Sequence, residues 1–407
     1  MVSVRGRTVF RRAGAHVGEQ DEAERRLGIT VVGTAQREAW AARVLPPVER
    51  LDAGLWSVPV PIPDNPLRYT LSYLIPADDG VVVVDPGWDT DDGWAALTAG
   101  LAAAGATFAD VTGIVATHVH ADHHGMSARL RDRTGAWVGM HPAERDSLPQ
   151  RTGLLRRADM RAAQARWLRA AGAAEADVAE LCGVPADDCE AHDLPDRTPM
   201  AEPDVLLHDG DALPVRGRTV RTVWTPGHTP GHICLLEPEA GVMLTGDHVL
   251  PRITPNIGLA PDLGGAPLAL FLDSLERVAR YDEHRSDERS GRLTALPAHE
   301  YRFRGLATRA RTLQAHHAER CRELLDVVER LGNPTLWEVT KALTWSRPWS
   351  EVGPMRMGAL AETGAHVRHL VDLGQLIWDG AVPAFGGSGE DVPSRVRRGD
   401  PVRSTVA

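Results

Sequence analysis

The chain has 407 residues, enough for two domains with hydrophobic cores of their own. Its formal net charge of −10 argues against general nucleic-acid binding, and no apolar run is long enough for a transmembrane helix. The four cysteines lack the spacing of a disulfide framework, and the basic N-terminus lacks the apolar segment of a secretory signal. We therefore expect a cytoplasmic protein that does not contact a membrane.

The first part of the chain predicts an N-terminal extension followed by a catalytic α/β domain. Residues 1–44 are rich in arginine, glycine, alanine and glutamate and show no clear strand pattern, so we assign them to the extension. We place the catalytic domain at residues 45–302. Its alternating and apolar runs predict strands at 55–62, 69–75, 81–84 and 111–116, with a helix at 94–104.

A dense group of histidines follows the strand predicted at 111–116. The run Thr117-His-Val-His-Ala-Asp-His-His-Gly125 places four imidazoles and one carboxylate within seven residues. His118 and His120 are two residues apart, so both can point the same way in an extended turn. Imidazole and carboxylate are ligands of zinc, iron and manganese. A solvated polar loop is the alternative, but such dense clustering favours a metal site.

Residues 142–200 differ in character from the strands around them and predict a helical insertion. They are rich in arginine and alanine, and residues 159–171 predict an amphipathic helix with Met160, Ala163 and Trp167 on one side. Such an insertion would lie beside the metal site. It could form a lid or a wall of the substrate site, or it could be scaffold, and the sequence leaves both open.

Three later strands also end in residues that can bind a metal. Histidine follows Pro-Gly at His228, aspartate follows glycine at Asp247, and the last strand leads into Pro297-Ala-His-Glu300. Glycine and proline force sharp loops at these strand ends, and open α/β sheets place their sites at such ends. The repetition of this pattern strengthens the prediction of a metal site.

The run from His118 to His123 resembles the HxHxDH signature of the metallo-β-lactamase superfamily. The resemblance extends over about residues 50–382 and implies an αββα sandwich of two mixed sheets with helices outside. It also implies two divalent metal ions, with zinc as first choice and iron or manganese as alternatives. The implied ligands are His118, His120 and His228 on one ion, Asp122, His123 and His299 on the other, and Asp247 between them.

Asp247 also indicates a branch of the family. The zinc β-lactamases use a cysteine ligand in the second site and lack the bridging aspartate, whereas hydroxyacylglutathione hydrolase (glyoxalase II) and the lactonases resemble this chain. The resemblance therefore implies hydrolysis of an ester, thioester or lactone by a metal-bridging hydroxide, with Asp122 and Asp247 as the catalytic carboxylates. The expected substrate is a small molecule or an acyl group on a carrier.

Several neighbouring residues have expected roles or depart from the family pattern. The family motif Pro-Gly-His-Gly is replaced by Pro-Ala-His-Glu, which we expect to place the Glu300 carboxylate near the pocket rim. A residue matching Asp85 supports the metal loop from behind in the family. His232 could support a ligand as a hydrogen-bond donor, whereas His124 and His248 are expected to be surface or wall residues.

The C-terminal part predicts a winged-helix-like domain at residues 303–382 and a disordered tail at 383–407. Its helices are predicted at 308–331, 335–343 and 355–373, with a hairpin at 376–383. A capping box at Thr335 and Glu338 starts the second helix. Residues 302–382 carry 11 basic and 9 acidic side chains, so we favour docking against the catalytic domain over nucleic-acid binding. We expect Trp337, Trp345 and Trp349 to pack against that domain.

Two other functions use the same metal ligands. An RNA phosphodiesterase would need a basic groove, which Arg151, Arg156, Arg157, Arg161 and Arg166 of the insertion could supply. A diiron redox module ranks third, because such a module normally needs a flavin domain. The sequence does not determine the oligomeric state.

Overall fold

The computed structural model describes residues 24, 26–183, 198–258, 266–284, 292–380 and 393–399. Two β-sheets, one of seven strands and one of six, lie at the centre of the fold, and a separate two-stranded sheet lies near the C-terminus. The predicted α/β class is confirmed. Within the described ranges, no helix has the length and apolar character needed to cross a membrane.

The first large sheet contains the strand that leads into the histidine-rich run. Its strands are β2 (Glu49–Arg50), β3 (Trp56–Pro61), β4 (Tyr69–Ala77), β5 (Gly80–Val84), β6 (Val111–Val115), β7 (Trp137–Met140) and β8 (Val205–Leu206). They are adjacent in that order, antiparallel from β2 to β5 and parallel from β5 to β8. The parallel half aligns the carboxyl ends of β5, β6 and β7 at one edge.

The second large sheet carries the other strand ends with potential ligands. Its strands are β1 (Thr30–Val31), β9 (Arg221–Trp224), β10 (Ile233–Glu237), β11 (Val242–Gly246), β12 (Thr294–Pro297) and β13 (Phe303–Arg304). The spatial order is β1-β13-β12-β11-β10-β9, and only the β11–β12 pair is parallel within this sheet. This pairing brings the ends of β11 and β12 side by side.

Helices cover the outer faces of both sheets. The α-helices are α1 (Thr34–Ala42), α2 (Asp91–Ala103), α3 (Ala121–His124), α4 (Ser127–Thr134), α5 (Pro142–Asp146), α6 (Pro149–Thr152), α7 (Arg157–Ala170), α8 (Glu175–Cys182), α9 (Pro267–Glu283), α10 (Leu306–Leu331), α11 (Leu336–Ala342), α12 (Trp349–Val352) and α13 (Arg356–Asp372). Helices α2 and α4 pack on the first sheet, and α9 and α10 pack on the second. Between the sheets, Tyr73 and Val84 meet Leu235 and Leu244. Burying each aliphatic side chain there contributes about 1.5–3 kcal/mol.

The catalytic domain begins before the boundary predicted at residues 44 and 45. Ile29 lies in the core of the second sheet, and β1 pairs with β13 through Thr30 and Arg304. The Gln36 amide donates to Ser57 Oγ over 2.9 Å, which fixes α1 to β3. A two-residue strand is too short to show periodicity, so its pairing partner decides its structure. The rest of the predicted extension, residues 1–23, lies outside the described residues.

The predicted insertion contains α5, α6, α7 and α8, and its residues 184–197 lie outside the described residues. The C-terminal half of α7 shares a core with the C-terminal helices, in which Trp167 and Leu168 accompany Trp337. Trp337 also donates its backbone N–H to the Ala171 carbonyl over 2.8 Å and its indole N–H to Asp177 over 3.1 Å. The predicted packing against the catalytic domain is thereby confirmed for Trp337, and the insertion is the element that it contacts. Trp345 instead donates its indole N–H to the Thr340 carbonyl of the C-terminal part over 2.8 Å.

The C-terminal helices agree with the prediction, but the hairpin differs. The capping box of Thr335 and Glu338 is present at the start of α11. Strand β14 (Leu376–Asp379) pairs with β15 (Arg395–Arg398), whereas the predicted partner strand at 381–383 lies outside the described residues. The prediction of disorder is therefore wrong for residues 393–399, because Val396 is fully buried opposite Trp378. A single valine among three arginines in residues 395–398 does not predict a strand, because the strand forms only through pairing with β14. Residues 400–407 of the predicted tail lie outside the described residues.

Candidate metal centre

The structure brings the seven predicted ligands together at one edge of the two sheets. They lie on the loops and the short helix that follow β6, β9, β11 and β12. Their ligand atoms form three overlapping groups, within each of which all atoms lie within 4.8 Å of one another. These groups are His118, His120 and His228; His118, His123 and Asp247; and Asp122, His123 and His299.

Three imidazoles form the first part of the centre, which we call the three-histidine cluster (His118, His120 and His228). The Nδ1 atom of His120 lies 2.9 Å from Nε2 of His118 and 3.2 Å from Nε2 of His228. Burial and the neighbouring imidazoles lower the pKa of His120 to about 3 and that of His118 well below its usual value. The rings are therefore neutral near pH 7, the form that binds a metal ion.

Two carboxylates and two imidazoles form the second part, which we call the mixed cluster (Asp122, His123, His299 and Asp247). His299 Nε2 lies 3.2 Å from Asp247 Oδ1 and 3.4 Å from Asp122 Oδ2. Burial opposes protonation of His299, but the two carboxylates outweigh burial and raise its pKa to about 10. The mixed cluster therefore favours positive charge at its centre.

Asp247 touches both clusters. Its Oδ2 atom lies 3.6 Å from His123 Nε2 in the mixed cluster and 3.7 Å from His228 Nε2 in the three-histidine cluster. A single carboxylate at this position can contact ions in both clusters.

Several atoms of the mixed cluster fit a metal ion better than a hydrogen bond. The Nε2 atoms of His123 and His299 and the Oδ1 atom of Asp247 are buried, and none has a hydrogen-bond partner among the described residues. Buried polar atoms in proteins almost always have a partner. The combination of imidazole nitrogen and carboxylate oxygen suits zinc, iron or manganese, so the residues present fit the metal that the sequence predicts.

Protein acceptors orient the imidazoles toward the two clusters. His123 Nδ1 donates to Asp85 over 2.9 Å, His299 Nδ1 to the Tyr69 carbonyl over 2.9 Å, and His228 Nδ1 to the Asn256 carbonyl over 2.7 Å. A histidine whose Nδ1 donates in this way keeps its Nε2 lone pair for a metal ion.

Asp85 supports the histidine-rich loop at its base, as the resemblance implies. Its carboxylate accepts from the Thr117 backbone N–H over 2.7 Å and from the Thr117 hydroxyl over 2.8 Å, in addition to His123. The residue has φ of 51°, which is unusual outside glycine and costs of order 1 kcal/mol or more. The three hydrogen bonds offset this strain and hold the Asp85 carboxylate beneath the loop.

Other histidines near the centre occupy buried supporting positions. His232 Nε2 accepts the Asp247 backbone N–H over 3.1 Å, and its Nδ1 bonds to the Thr225 hydroxyl over 2.8 Å. Toward Asp247, His232 therefore acts as a hydrogen-bond acceptor and not as the donor that we expected, and this hydrogen bond holds the loop of Asp247 in place. Of the two positions expected for His124 and His248, the surface is excluded because both are fully buried, and a position in the site wall stays a prediction.

The prediction for Glu300 is also wrong. Glu300 is only 1% exposed, and its Oε2 atom accepts the backbone N–H groups of Arg252 and Ile253 over 3.0 and 3.1 Å. Its carboxylate closes the loop that leads to Asn256, whose carbonyl orients His228. Glu300 therefore shapes the site from behind and is not available at its rim.

Glu144 is a supporting residue that the sequence analysis missed. Its two carboxylate oxygens accept the backbone N–H groups of Val119 and Gly231, each over 2.6 Å. Val119 lies between His118 and His120, so Glu144 joins the two loops that carry the three-histidine cluster. Burial raises the pKa of Glu144 to about 7, although the N–H groups oppose this rise. A side chain on Gly231 would place its Cβ 2.7 Å from the Glu144 nitrogen, so the close approach requires glycine.

Comparison with known proteins identifies the family. The model of the metallo-beta-lactamase superfamily matches residues 65–285, a span that includes all the candidate ligands except His299. A metallo-beta-lactamase family protein from Thermus thermophilus is 30% identical, with a TM-score of 0.63 over 85% of this chain and 98% of that one. A beta-lactamase domain protein from Burkholderia ambifaria is 23% identical, with a TM-score of 0.68 over 93% of this chain and 99% of that one, and shows the fold alone.

Two fungal proteins are also similar over part of their length. The lactamase-like protein nscB of Aspergillus fumigatus is 29% identical over 35% of this chain and 42% of its own length. The lactamase-like protein adaB of Aspergillus niger is 32% identical over 30% of this chain and 34% of its own length. The similarity thus spans less than half of these curated relatives.

Proposed function

Because this chain belongs to the metallo-β-lactamase superfamily, whose members are generally metal-dependent hydrolases, we propose that it hydrolyses an ester, thioester or lactone at a dinuclear metal centre. The observation that carries the proposal is the position of Asp247, whose carboxylate lies within 3.7 Å of imidazole nitrogens in both clusters. A residue that serves two metal ions must be able to reach both, and Asp247 can.

The candidate ligands form two sets, one for each of the two proposed metal ions. His118, His120 and His228 would bind the first ion, while Asp122, His123 and His299 would bind the second. When bound, two divalent ions, of which zinc is our first choice, supply a hydroxide nucleophile near neutral pH and polarise the substrate oxygen. Asp122 and Asp247 provide the negative charge that keeps the second ion in place.

The identity of the ligands supports the glyoxalase II and lactonase type over the zinc β-lactamases. Aspartate occupies the shared position, and none of the candidate ligand groups among the described residues contains a cysteine. Cys234 is buried in β10, and burial raises the pKa of its thiol to about 12, so it is a poor nucleophile and a poor ligand.

The C-terminal unit fits a supporting role in this proposal. We propose that α10, α11, α13 and the β14–β15 hairpin form the predicted winged-helix-like domain and fix the insertion that borders the site. Trp337 in α11 contacts Ala171 and Asp177 of the insertion, and Arg356 in α13 pairs with Glu180 of α8 over 3.0 Å. The substrate in this proposal is a small molecule or a carrier-bound acyl group.

The described residues give little support to the RNA phosphodiesterase alternative. Of the five arginines that could have formed a basic groove, Arg151 binds Glu202 over 2.7 Å, and only Arg157 and Arg161 line the same groove. Two arginines match a small anionic group better than the repeated phosphates of a nucleic acid. The diiron alternative uses the same ligands, so identification of the metal tests it.

The proposal is tested by hydrolysis with the full-length protein loaded in turn with zinc, manganese and iron. The substrates are a thioester, a lactone, a phosphodiester and a β-lactam. We expect turnover of the thioester or the lactone, and its loss in Asp122→Asn and Asp247→Asn. Turnover of the phosphodiester alone would replace the proposal with the second function, and turnover of none by a metal-loaded protein would overturn it.

A further inference from the structure

A groove of about 570 Å³ lies beside the turn α3, which carries the candidate ligands Asp122 and His123. Ala121 and Gly125 form its wall on that side, and they are the residues directly before Asp122 and directly after His124. Its opposite wall is the N-terminal half of α7 in the insertion. The groove therefore lies between the insertion and the turn that carries Asp122 and His123 of the mixed cluster.

Helix α7 presents one continuous face to this groove. Arg157, Met160, Arg161 and Gln164 line it at positions i, i+3, i+4 and i+7, which share one side of a helix. The sequence pattern predicts that Met160 shares one side of the helix with Ala163 and Trp167. In the structure, Ala163 and Trp167 are buried, but Met160 is only half-buried and faces the groove. The polar Gln164 thus lies on a second, functional face.

Among the described residues that line the groove, two are basic and one is acidic, although the chain as a whole is acidic. Arg161 is exposed and has no hydrogen bond or ion pair with the rest of the described chain, so its guanidinium is available to a ligand. Arg157 lies one helical turn away on the same wall. The one acidic side chain among the described residues lining the groove, Asp89, pairs with Arg129 over 3.2 Å, which offsets its charge. An anion is therefore favoured in this groove.

Apolar side chains complete the lining. Trp88 follows β5, Met160 lies between the two arginines on α7, and Met200 lies near the end of the insertion. Met200 also packs in the small core to which Ala121 and Val119 contribute, next to the ligand residues of the loop. A molecule held here would contact hydrocarbon surface along its body and guanidinium groups at its charged end.

We propose that this groove binds the anionic end of the substrate, and that the substrate is an ester or thioester with a carboxylate or phosphate group attached to an apolar body. This inference rests on the proposed function, because it assigns a substrate class to the same centre. Arg161 is the residue that selects the charge, since its guanidinium can form paired hydrogen bonds with either kind of anion, and Arg157 adds positive charge on the same wall. The C-terminal unit holds this wall in place through the other half of α7.

The test uses thioesters of short acyl chains that differ in where they carry negative charge. Butyryl-N-acetylcysteamine is neutral, glutaryl-N-acetylcysteamine carries a carboxylate on the acyl group, and butyryl-coenzyme A carries phosphates on the leaving group. For the metal-loaded native protein, we expect at least one anionic thioester to have a KM about tenfold below that of the neutral one, with similar kcat. The preferred thioester distinguishes a carboxylate from a phosphate.

Variants of α7 then locate the effect. Arg161→Ala and Arg157→Ala should raise KM for the anionic thioester about tenfold and leave the neutral thioester unchanged, and Arg161→Glu should raise it further. Arg166→Ala is the matched control, because Arg166 is exposed on the same helix but does not line the groove. A rise in KM for the neutral and anionic thioesters alike would overturn the assignment, as would an anionic preference that survives both alanine variants.

A binding measurement separates this inference from the proposed function. Calorimetric titration of the native protein with glutarate and with coenzyme A requires no turnover. Binding of either molecule that is lost in the Arg157→Ala/Arg161→Ala double variant supports the groove even if no thioester is hydrolysed. Hydrolysis of neutral and anionic thioesters at equal rates, with no such binding, overturns the groove and leaves the hydrolase proposal intact.

Discussion

In the candidate metal centre, the surroundings of the two clusters shift the pKa values of their imidazoles in opposite directions. In the three-histidine cluster, burial and neighbouring rings lower the pKa values of His118, His120 and His228, so the donors are neutral. In the mixed cluster, the carboxylates overcome burial and raise the pKa values of His123 and His299. The two adjacent clusters thus differ in imidazole pKa because the carboxylates Asp122 and Asp247 belong to the mixed cluster.

This difference indicates different tasks for the two clusters. Three neutral donors leave most of the charge of a divalent ion uncompensated, which favours activation of a nucleophile or a carbonyl. The mixed cluster supplies negative charge of its own, which favours retention of a cation. Asp247 lies near residues of both clusters, and in the proposed dinuclear centre it would couple the two tasks.

The largest effect should come from the shared carboxylate. Asp247→Asn keeps the shape of the side chain but removes its charge from both clusters, so we expect hydrolysis to fall by on the order of 10³-fold or more, with loss of at least one ion. Metal analysis and steady-state kinetics measure both effects. Asp273→Asn on the exposed side of α9 is the control. Unchanged metal content and activity in Asp247→Asn would contradict the claim that Asp247 serves both clusters.

Single ligand substitutions can separate the two clusters. His120→Ala removes a donor from the three-histidine cluster only, and His299→Ala removes one from the mixed cluster only. We expect each variant to retain about one ion and to lose on the order of 10²-fold in activity. Elemental analysis after dialysis counts the ions. If either substitution released both ions, the two clusters would be one cooperative site.

A smaller effect is expected from the carboxylate that joins the histidine loops. Glu144→Gln replaces one of the two acceptor oxygens by a donor, which breaks the contact with either Val119 or Gly231. Metal affinity of the three-histidine cluster should fall about 10- to 100-fold, while the mixed cluster keeps its ion. Chelator competition measures the two affinities.

Glu202→Gln is the matched control for Glu144, because Glu202 lies at the surface of the same region and pairs with Arg151. An equal fall in affinity at both clusters, or none at either, would show that Glu144 does not position the three histidines.

The smallest effect is expected for a pair of buried histidines that lies outside the metal centre and pairs with no carboxylate among the described residues. His317 Nδ1 bonds to His366 Nε2 over 3.1 Å between α10 and α13, and burial lowers the pKa of His317 to about 2 and that of His366 to about 4. The folded protein binds protons at these two imidazoles less readily than the unfolded chain does. Their contribution to the free energy of unfolding is therefore fully present above about pH 6.5 and is lost progressively as the pH falls below that value. We expect a loss of about 1 kcal/mol per pH unit for His317.

Urea unfolding between pH 7 and 5 measures this dependence. His317→Leu should flatten it by about one proton, whereas His284→Leu at the exposed end of α9 should leave the slope unchanged. An unaltered slope in His317→Leu would mean that burial alone does not keep these imidazoles neutral.

The sequence predicted the ligands better than the residues that orient them. His118, His120, Asp122 and His123 lie in one short motif, so their types and spacing carry the chemistry directly. Glu144 lies far along the chain in an ordinary helical run, and its role depends on two backbone N–H groups that only the folded structure brings to it. Glu300 illustrates the opposite error. It follows the ligand His299 in the sequence and was therefore expected at the pocket, but its carboxylate accepts hydrogen bonds from the backbone N–H groups of a neighbouring loop.

Local sequence patterns also predicted some strands of the fold and missed others. Strands with clear apolar runs, such as Gly80–Val84 and Val111–Val115, were predicted within a residue or so of their bounds. The short strands Thr30–Val31 and Arg395–Arg398 were missed, because each exists through its pairing with a distant partner. Local sequence indicates burial and turns, whereas pairing at the sheet edges depends on the rest of the chain.

The measurement that tests the central claim most directly is the metal content of the native protein, determined together with hydrolysis of the thioester and lactone. The account predicts about two ions per chain, and activity that is lost on chelation and restored by zinc. A protein that binds no metal after reconstitution, or one that is fully active with a single ion, would contradict a centre in which Asp247 serves both clusters.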